Sequence, residues 1–399
     1  MIPTSPFSPV KGNSADALAQ VSVRLGHWLR EQALPFWLAH GIEPESGAHH
    51  EQMLADGRPD TQANIRVRVQ ARQIFAYSFA YCRGWAGPEA LTAVRRMRHF
   101  LDNRAAGAAG GYSHLLNPRF DVIDRRQDLY DHAFHLLACA WEYKAFGDPA
   151  HLEAARALVG FLDRRFGADY GGWIEGDYAY TYRRQNPHMH LFEAFQALYE
   201  VTGDGHWLAR AGEIFTLFET CFYCPQRGLL FEFFERDWRL APGEAGRVVE
   251  PGHMLEWVWL LERYGRWADR PVGHYTERLY REALAIGQTS SGLILDQVDA
   301  DAPQTQGPKR SWPMTELIKA SIARARTGDA DAQGRVIKAV NALFDCYLCG
   351  AKPGTYVDRR DENDAVMVDV APASTLYHLV IAAAELADYA AEVALTEGG

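Results

Sequence analysis

Two His-x-x-Glu pairs, His190 with Glu193 and His253 with Glu256, hold the first chemical signal in this 399-residue chain. On a helix, residues i and i+3 share a face. A carboxylate there orients an imidazole and raises its pKa, which tunes a general acid or base near neutral pH. Arg72 adds a permanently charged donor suited to a developing oxyanion. His132, Glu316 and His378 complete a set of imidazole, guanidinium and carboxylate groups. Such a set suits proton transfer next to a carbonyl. The His-x-x-Glu pairs are compatible with a metal in principle, but no third-ligand pattern accompanies them, and no metal is expected. No Gly-rich loop ends in Lys-Ser or Lys-Thr, and no GxGxxG follows a strand. Nucleotide chemistry and a nucleotide cofactor therefore lack support, and no cofactor is expected. Glu175, Glu232, Asp237, Glu256 and Glu316 keep a two-carboxylate glycoside hydrolase open.

These residues need elements to gather them, and a repeat supplies them. Turn signals recur at Arg83-Gly84, Gly147-Asp148, Gly203-Asp204, Tyr264-Gly265 and Gly328-Asp329, with glycines 63, 56, 62 and 63 residues apart. One more step of about 62 reaches Tyr389, where the last helical run is expected to end. Gly fits the residue after a helix, and Asp caps the next. A helix rich in Ala, Leu and aromatics precedes each turn, over 66–83, 127–146, 187–202, 251–264, 312–327 and 371–389. It is apolar on several faces and so expected to be buried nearly all round. An amphipathic helix follows each turn, as in His151–Phe166, Trp207–Phe222 and Ala332–Leu348. Then comes a Gly-led extended piece: Gly111-Tyr112, Gly172-Trp173, Gly228-Leu229, Gly292-Leu293 and Gly354-Thr355. Alternation such as Leu230-Phe231-Glu232-Phe233 predicts short strands or hairpins there.

Six such units predict an all-α (α/α)6 toroid of twelve helices, residues 1–399 as one barrel domain, with short hairpins at the active-site mouth. An open α-solenoid has the same period. Counted back from the turns, Arg72, His253 and Glu316 lie 12 residues away, His190 lies 13 and His132 lies 15, with His378 about 12 before the last expected end. At 1.5 Å per residue that is roughly 18 Å, so these groups are expected together at one end of the barrel.

Composition narrows the function classes. The net charge of −10 comes with no basic block, which argues against nucleic acid or an anionic membrane. Met1 to Gly12 is polar and Pro-rich, without the apolar run of a signal peptide. No 18-residue apolar window is present, and a cytoplasmic location is expected. The chain holds 11 Trp, 18 Tyr and 19 Phe, compatible with sugar-stacking walls as well as with core filling. Cys221-x-x-Cys224 and Cys346-x-x-Cys349 occupy equivalent places two units apart, too far for one zinc site. They read as ends of outer helices with buried thiols. A homodimer is compatible with the sequence.

Six stretches carry a family resemblance: Val69-Gln70-Ala71-Arg72-Gln73, Asp128-Leu129-Tyr130-Asp131-His132-Ala133-Phe134, Asn186-Pro187-His188-Met189-His190, Pro251-Gly252-His253-Met254-Leu255-Glu256-Trp257, Trp312-Pro313-Met314-Thr315-Glu316 and Ser374-Thr375-Leu376-Tyr377-His378. Together, in order over about 60–385, they resemble the N-acylglucosamine 2-epimerase superfamily, which includes cellobiose 2-epimerases and D-mannose isomerases. The resemblance implies an (α/α)6 barrel and cofactor-independent chemistry through a cis-enediolate. One imidazole of His253 and His378 would remove the C2 proton and Arg72 would stabilise the enediolate. Glu256 would orient His253, and His190 would bind hydroxyls or assist ring opening. Tyr130, Trp257 and Trp312 would wall the pocket, with Asp131, His132, Asn186 and Glu316 among the substrate-binding residues. The run Leu376-Tyr377-His378-Leu379-Val380 is closer to D-mannose isomerases than the Tyr-His-Asn-x-Arg of cellobiose 2-epimerases. Met314 stands where relatives often have Gln. The reading is aldose–ketose isomerisation of D-mannose-like monosaccharides. A 2-epimerase acting on N-acylglucosamine or an aldose is the alternative, and a non-catalytic sugar-binding barrel the third.

Overall fold

A computed structural model describes residues 14–350 and 352–397; Met1 to Gly12, expected not to be a signal peptide, lies outside them. The helices in chain order are α1 (Ser14–His27), α2 (Leu34–His40), α3 (Val67–Cys82), α4 (Pro88–Arg104), α5 (Leu129–Phe146), α6 (Ala150–Phe166), α7 (Asn186–Thr202), α8 (Gly205–Leu217), α9 (Pro251–Ala268), α10 (Gly273–Gly287), α11 (Trp312–Arg326), α12 (Ala332–Cys346) and α13 (Leu376–Glu397). The π-helical turn Trp28–Ala33 joins α1 to α2, so the two act as one outer helix. Among the described residues no helix is long and apolar enough to cross a membrane.

Helices α3, α5, α7, α9, α11 and α13 form the inner ring. Each packs on the next, and α13 returns to α3. Their apolar faces run nearly all round, so the first dozen residues of each are mostly buried. The remaining helices expose one charged face and wrap the ring outside.

The loops at one end repeat a single pairing. The strand entering an inner helix pairs antiparallel with the strand leaving the following outer helix: Ile65–Arg66 with Leu115–Leu116, Arg183–Arg184 with Phe233–Phe234, Val248–Val249 with Val298–Asp299, and Lys309–Arg310 with Arg359–Arg360. Asp128 and Gly176 make the same bridge. The sixth instance joins Val370–Pro372, ahead of α13, to Gln52–Leu54, after α2. A solenoid would leave that last pair apart; here it closes the toroid.

Turn chemistry fixes the unit lengths. Gly84, Gly147, Gly203 and Gly328 all have positive φ, which a side chain rarely adopts. Asp204 caps α8 by accepting from the His206 N–H at 3.0 Å. The fourth turn departs from expectation. Gly265 lies inside α9, which runs on to Ala268 and ends at Asp269 with φ 51°. A Cβ at Gly265 would lie 2.7 Å from Val272 Cγ2, so close packing explains that glycine. The last inner helix starts at Leu376, after a strand and a 3-10 turn, and passes Tyr389 to Glu397. The thiols of Cys221, Cys224 and Cys346 are half-buried and that of Cys349 exposed, rather than buried as expected; all are free.

Candidate active site

The inner helices begin at the strand-lined end, three of them with Pro in the first turn, where its missing N–H costs nothing. Their first turns enclose a cavity of about 290 Å³. All six contribute: Arg72 from α3, Tyr130 from α5, Asn186 and His190 from α7, His253 and Glu256 from α9, Trp312 from α11, and His378 from α13. Arg66, Arg68, Glu250, Arg310, Asp358, Ser374 and Thr375 stand at the rim.

His253 and His378 both pack near the Trp312 ring, with centroids 5.3 and 5.5 Å from it. Each donates through Nδ1–H to a buried carboxylate. His253 uses Glu232 Oε1 at 3.0 Å, and His378 uses Glu316 Oε1 at 2.9 Å. That leaves Nε2 as each ring's free nitrogen. Their electrostatics are opposite. Burial disfavours a charge on His253, but Glu232 and Glu250 outweigh it and raise its pKa to about 10. Burial lowers that of His378 well below 6.5, and Arg72 and Lys319 push the same way. At neutral pH one ring is an imidazolium and the other a free base.

Arg72 Nη2 donates to Tyr130 Oη at 2.8 Å and Nη1 to the Ser374 carbonyl at 3.2 Å. Its guanidinium lies 4.0 Å from the Phe134 ring centre. The other arginines lining the cavity are compensated. Arg66 pairs with Glu51, Arg68 with Asp131 at 2.9 Å and Arg310 with Asp296 at 3.2 Å. Among the described cavity residues, Arg72 is the guanidinium without a carboxylate partner. Its Nε, Asn186 Oδ1 and Glu256 Oε1 are buried without a hydrogen bond. Buried polar atoms left this way cost free energy until a ligand satisfies them, as sugar hydroxyls can.

His190 Nδ1 faces Glu193 Oε2 at 3.3 Å and Glu256 Oε1 at 4.0 Å. Burial lowers its pKa to about 4 despite Glu193. Burial and then the neighbouring Glu316 raise that of Glu256 well above its ordinary value, which favours its protonated form.

Several expected roles need correction. Glu256 does not orient His253; Glu232 does, reaching in from the hairpin after α8, and Glu250 lies 3.6 Å away on the near side. His132 is fully buried off the cavity, two residues and so about 200° round α5 from cavity-lining Tyr130. Its Nδ1–H donates to the Asp128 carbonyl at 2.6 Å, and Nε2 accepts from the Tyr112 N–H at 2.9 Å. A Cβ at Gly111 would lie 2.7 Å from that nitrogen, so glycine and histidine fit as a unit. His188 repeats this against Gly172 and Trp173. Asp131 is also off the cavity, holding Arg68 and His114. Trp257 is fully buried, stacked on Phe192 and Phe218, with Nε1–H donating to Gln185. Glu316 sits behind His378 rather than against the cavity. Glu232, Glu250 and Lys319 were not singled out for these roles. Only the Leu-Phe-Glu-Phe alternation, which aims Glu232 opposite its apolar neighbours, hinted at one.

Three clusters bring metal-ligand atoms together: His190–Glu193–Glu256, Glu232–Glu250–His253 and Glu256–Glu316–His378. The fold thus supplies the third carboxylates that the sequence pattern lacks. In the latter two the Nδ1 nearest the carboxylates is spent on a hydrogen bond, and in the last Lys319 Nζ lies 2.6 Å from Glu316. An ammonium in that place competes with a metal cation.

The description N-acylglucosamine 2-epimerase (GlcNAc 2-epimerase) matches residues 47–382. The chain is 33% identical over 377 residues to a mannose-6-phosphate isomerase of Rhizobium meliloti (strain 1021), covering 91% of this chain and 96% of that one. It is 28% identical to a D-mannose isomerase of Thermobifida fusca, covering 76% and 79%. Among solved structures, cellobiose 2-epimerase from Spirochaeta thermophila DSM 6192 superposes with a TM-score of 0.82 at 20% identity, covering 95% and 98%. That likeness concerns the fold.

Proposed function

The chain belongs to the N-acylglucosamine 2-epimerase family of sugar isomerases and epimerases, and from that premise we propose that it interconverts an aldose and a ketose of the D-mannose type. The observation that carries this reading is the pair His253 and His378 in one cavity, each with Nδ1 on a buried glutamate and Nε2 left free, together with an uncompensated Arg72. The cavity volume of about 290 Å³ is at the small end of ligand pockets, about 300 Å³ and upward, and suits a monosaccharide. The compensated rim arginines favour a neutral sugar over a phosphorylated one.

With the open-chain aldose bound, neutral His378 takes the C2 proton on Nε2. The electron pair moves into the C1–C2 bond, and O1 takes a proton from the His253 imidazolium, giving a cis-enediol. Arg72 stabilises the oxyanion charge along the way. His378 then returns its proton to C1 while O2 gives its proton to His253. The ketose leaves with both rings restored. In its protonated form Glu256 donates to a hydroxyl, and His190 and Asn186 hold others.

A 2-epimerase is the second reading, favoured by two imidazoles lining one cavity; His253 would then protonate C2 from the opposite face. The test is NMR in deuterium oxide with D-mannose, D-mannose 6-phosphate, D-glucose, cellobiose and N-acetyl-D-mannosamine. The isomerase yields fructose deuterated at C1 and leaves cellobiose untouched. A C2 epimer deuterated at C2 without ketose supports the second reading. No exchange with any sugar leaves a binding barrel.

A further inference from the structure

Beneath the cavity lies an amine that touches no part of it. Lys319 sits on α11 one turn below Glu316 and is fully buried. Its Nζ is 2.6 Å from Glu316 Oε2 and 3.9 Å from the Trp259 ring centre. Glu256 on α9 and Glu193 on α7 face it, and His378 on α13 lies across Glu316. Arg72 on α3 also acts on His378, more strongly than Lys319 does. Burying an ammonium is costly unless a well-placed carboxylate offsets the lost hydration. Its one close carboxylate here is the one that holds His378.

We infer that Lys319 is a positioning residue: its ammonium keeps Glu316 ionised, so Glu316 takes the Nδ1–H of His378 and Nε2 faces the cavity as a lone pair. Glu316 has few other means of staying charged. Burial pushes its pKa up, and Lys319 is the strongest opposing influence. Thr315 Oγ1 adds a hydrogen bond at 3.2 Å. Without the ammonium, Glu316 binds a proton and presents an O–H to Nδ1. The ring must then accept at Nδ1 and carry its hydrogen on Nε2, which leaves no lone pair towards the sugar. An ion pair with a purely structural role would lower stability and leave the tautomer unchanged.

The inference rests on His378 being the base, and its test does not need turnover. Protein labelled with 15N-histidine is compared with Lys319→Met, Lys319→Gln and Lys319→Arg. The His378 signals are assigned by their loss in His378→Asn. The wild type shows the Nδ1–H tautomer at neutral pH. The neutral variants show Nε2–H, with kcat down about 100-fold, the scale of one general base, and KM unchanged. K319R keeps Nδ1–H and recovers most of kcat. An Nε2–H tautomer in the wild type, or K319M or K319Q with Nδ1–H and near-normal kcat, overturns it. Should K319M not fold, the wild type and K319Q still decide. Absence of turnover with every sugar defeats the proposed function and leaves the tautomer result to be read independently.

Discussion

His253 and His378 look alike in local design and differ in what stands behind them. Both sit in the first turn of an inner helix, both pack near Trp312, and both donate Nδ1–H to a buried glutamate. At His253 a second carboxylate, Glu250, lies 3.6 Å from the same ring nitrogen, whereas behind Glu316 stands the Lys319 ammonium. The first corner stabilises a positive ring and the second a neutral one. The near partner fixes the tautomer in both corners, and the surrounding charges together, two carboxylates at His253 and the Arg72 and Lys319 cations at His378, fix the protonation state.

The largest expected effect breaks the comparison at its basic corner. His378→Asn removes the base and should cut proton exchange into sugar by about 10³-fold, with circular dichroism unchanged. Exchange within about tenfold of wild type would contradict the role, given that general-base contributions run to 10²–10⁴. Glu232→Gln works on the other corner. Loss of that carboxylate should lower kcat by about 10- to 100-fold and move the alkaline limb of the pH–rate profile down from about 10. An alkaline limb that stays in place would show that Glu232 does not hold the His253 charge.

The same variant sharpens the comparison through stability. Because the His253 pKa is raised on folding, the stabilisation is complete below the unfolded value of about 6.5 and is lost as pH rises through about 10. The wild-type melting temperature should fall across that window, and Glu232→Gln should flatten the fall. His132→Ala, outside the pair, should leave kinetics unchanged. It should cost about 1–3 kcal/mol in urea unfolding, because it strands the Tyr112 N–H and the Asp128 carbonyl. A kinetic defect without a stability loss would reverse that assignment.

The ring and the identity of its mouth were legible in the sequence because helical period and turn chemistry are local. Arg72, His190, His253 and His378 reach the cavity since all lie in the early turns of equivalent helices. Rotation about the helix was less legible. His132 is two residues past cavity-lining Tyr130, and at 100° per residue it faces a Gly-Gly turn instead. Trp257 follows cavity-lining Glu256 by one residue and turns into the aromatic core. Partners across chains of contacts were not legible. Glu232 meets His253 because Phe233–Phe234 pairs with Arg183–Arg184, a register set by the closed ring. Gly265 misled as a turn because close packing against Val272 demands glycine as strictly as positive φ does.

The charge difference between the two rings is most directly measured by 15N NMR titration of their ring nitrogens, assigned with His253→Asn and His378→Asn. His253 should be doubly protonated at pH 7 and titrate near 10, beside a His378 already neutral with its hydrogen on Nδ1. Two rings titrating together near the ordinary value of about 6.5 would contradict it.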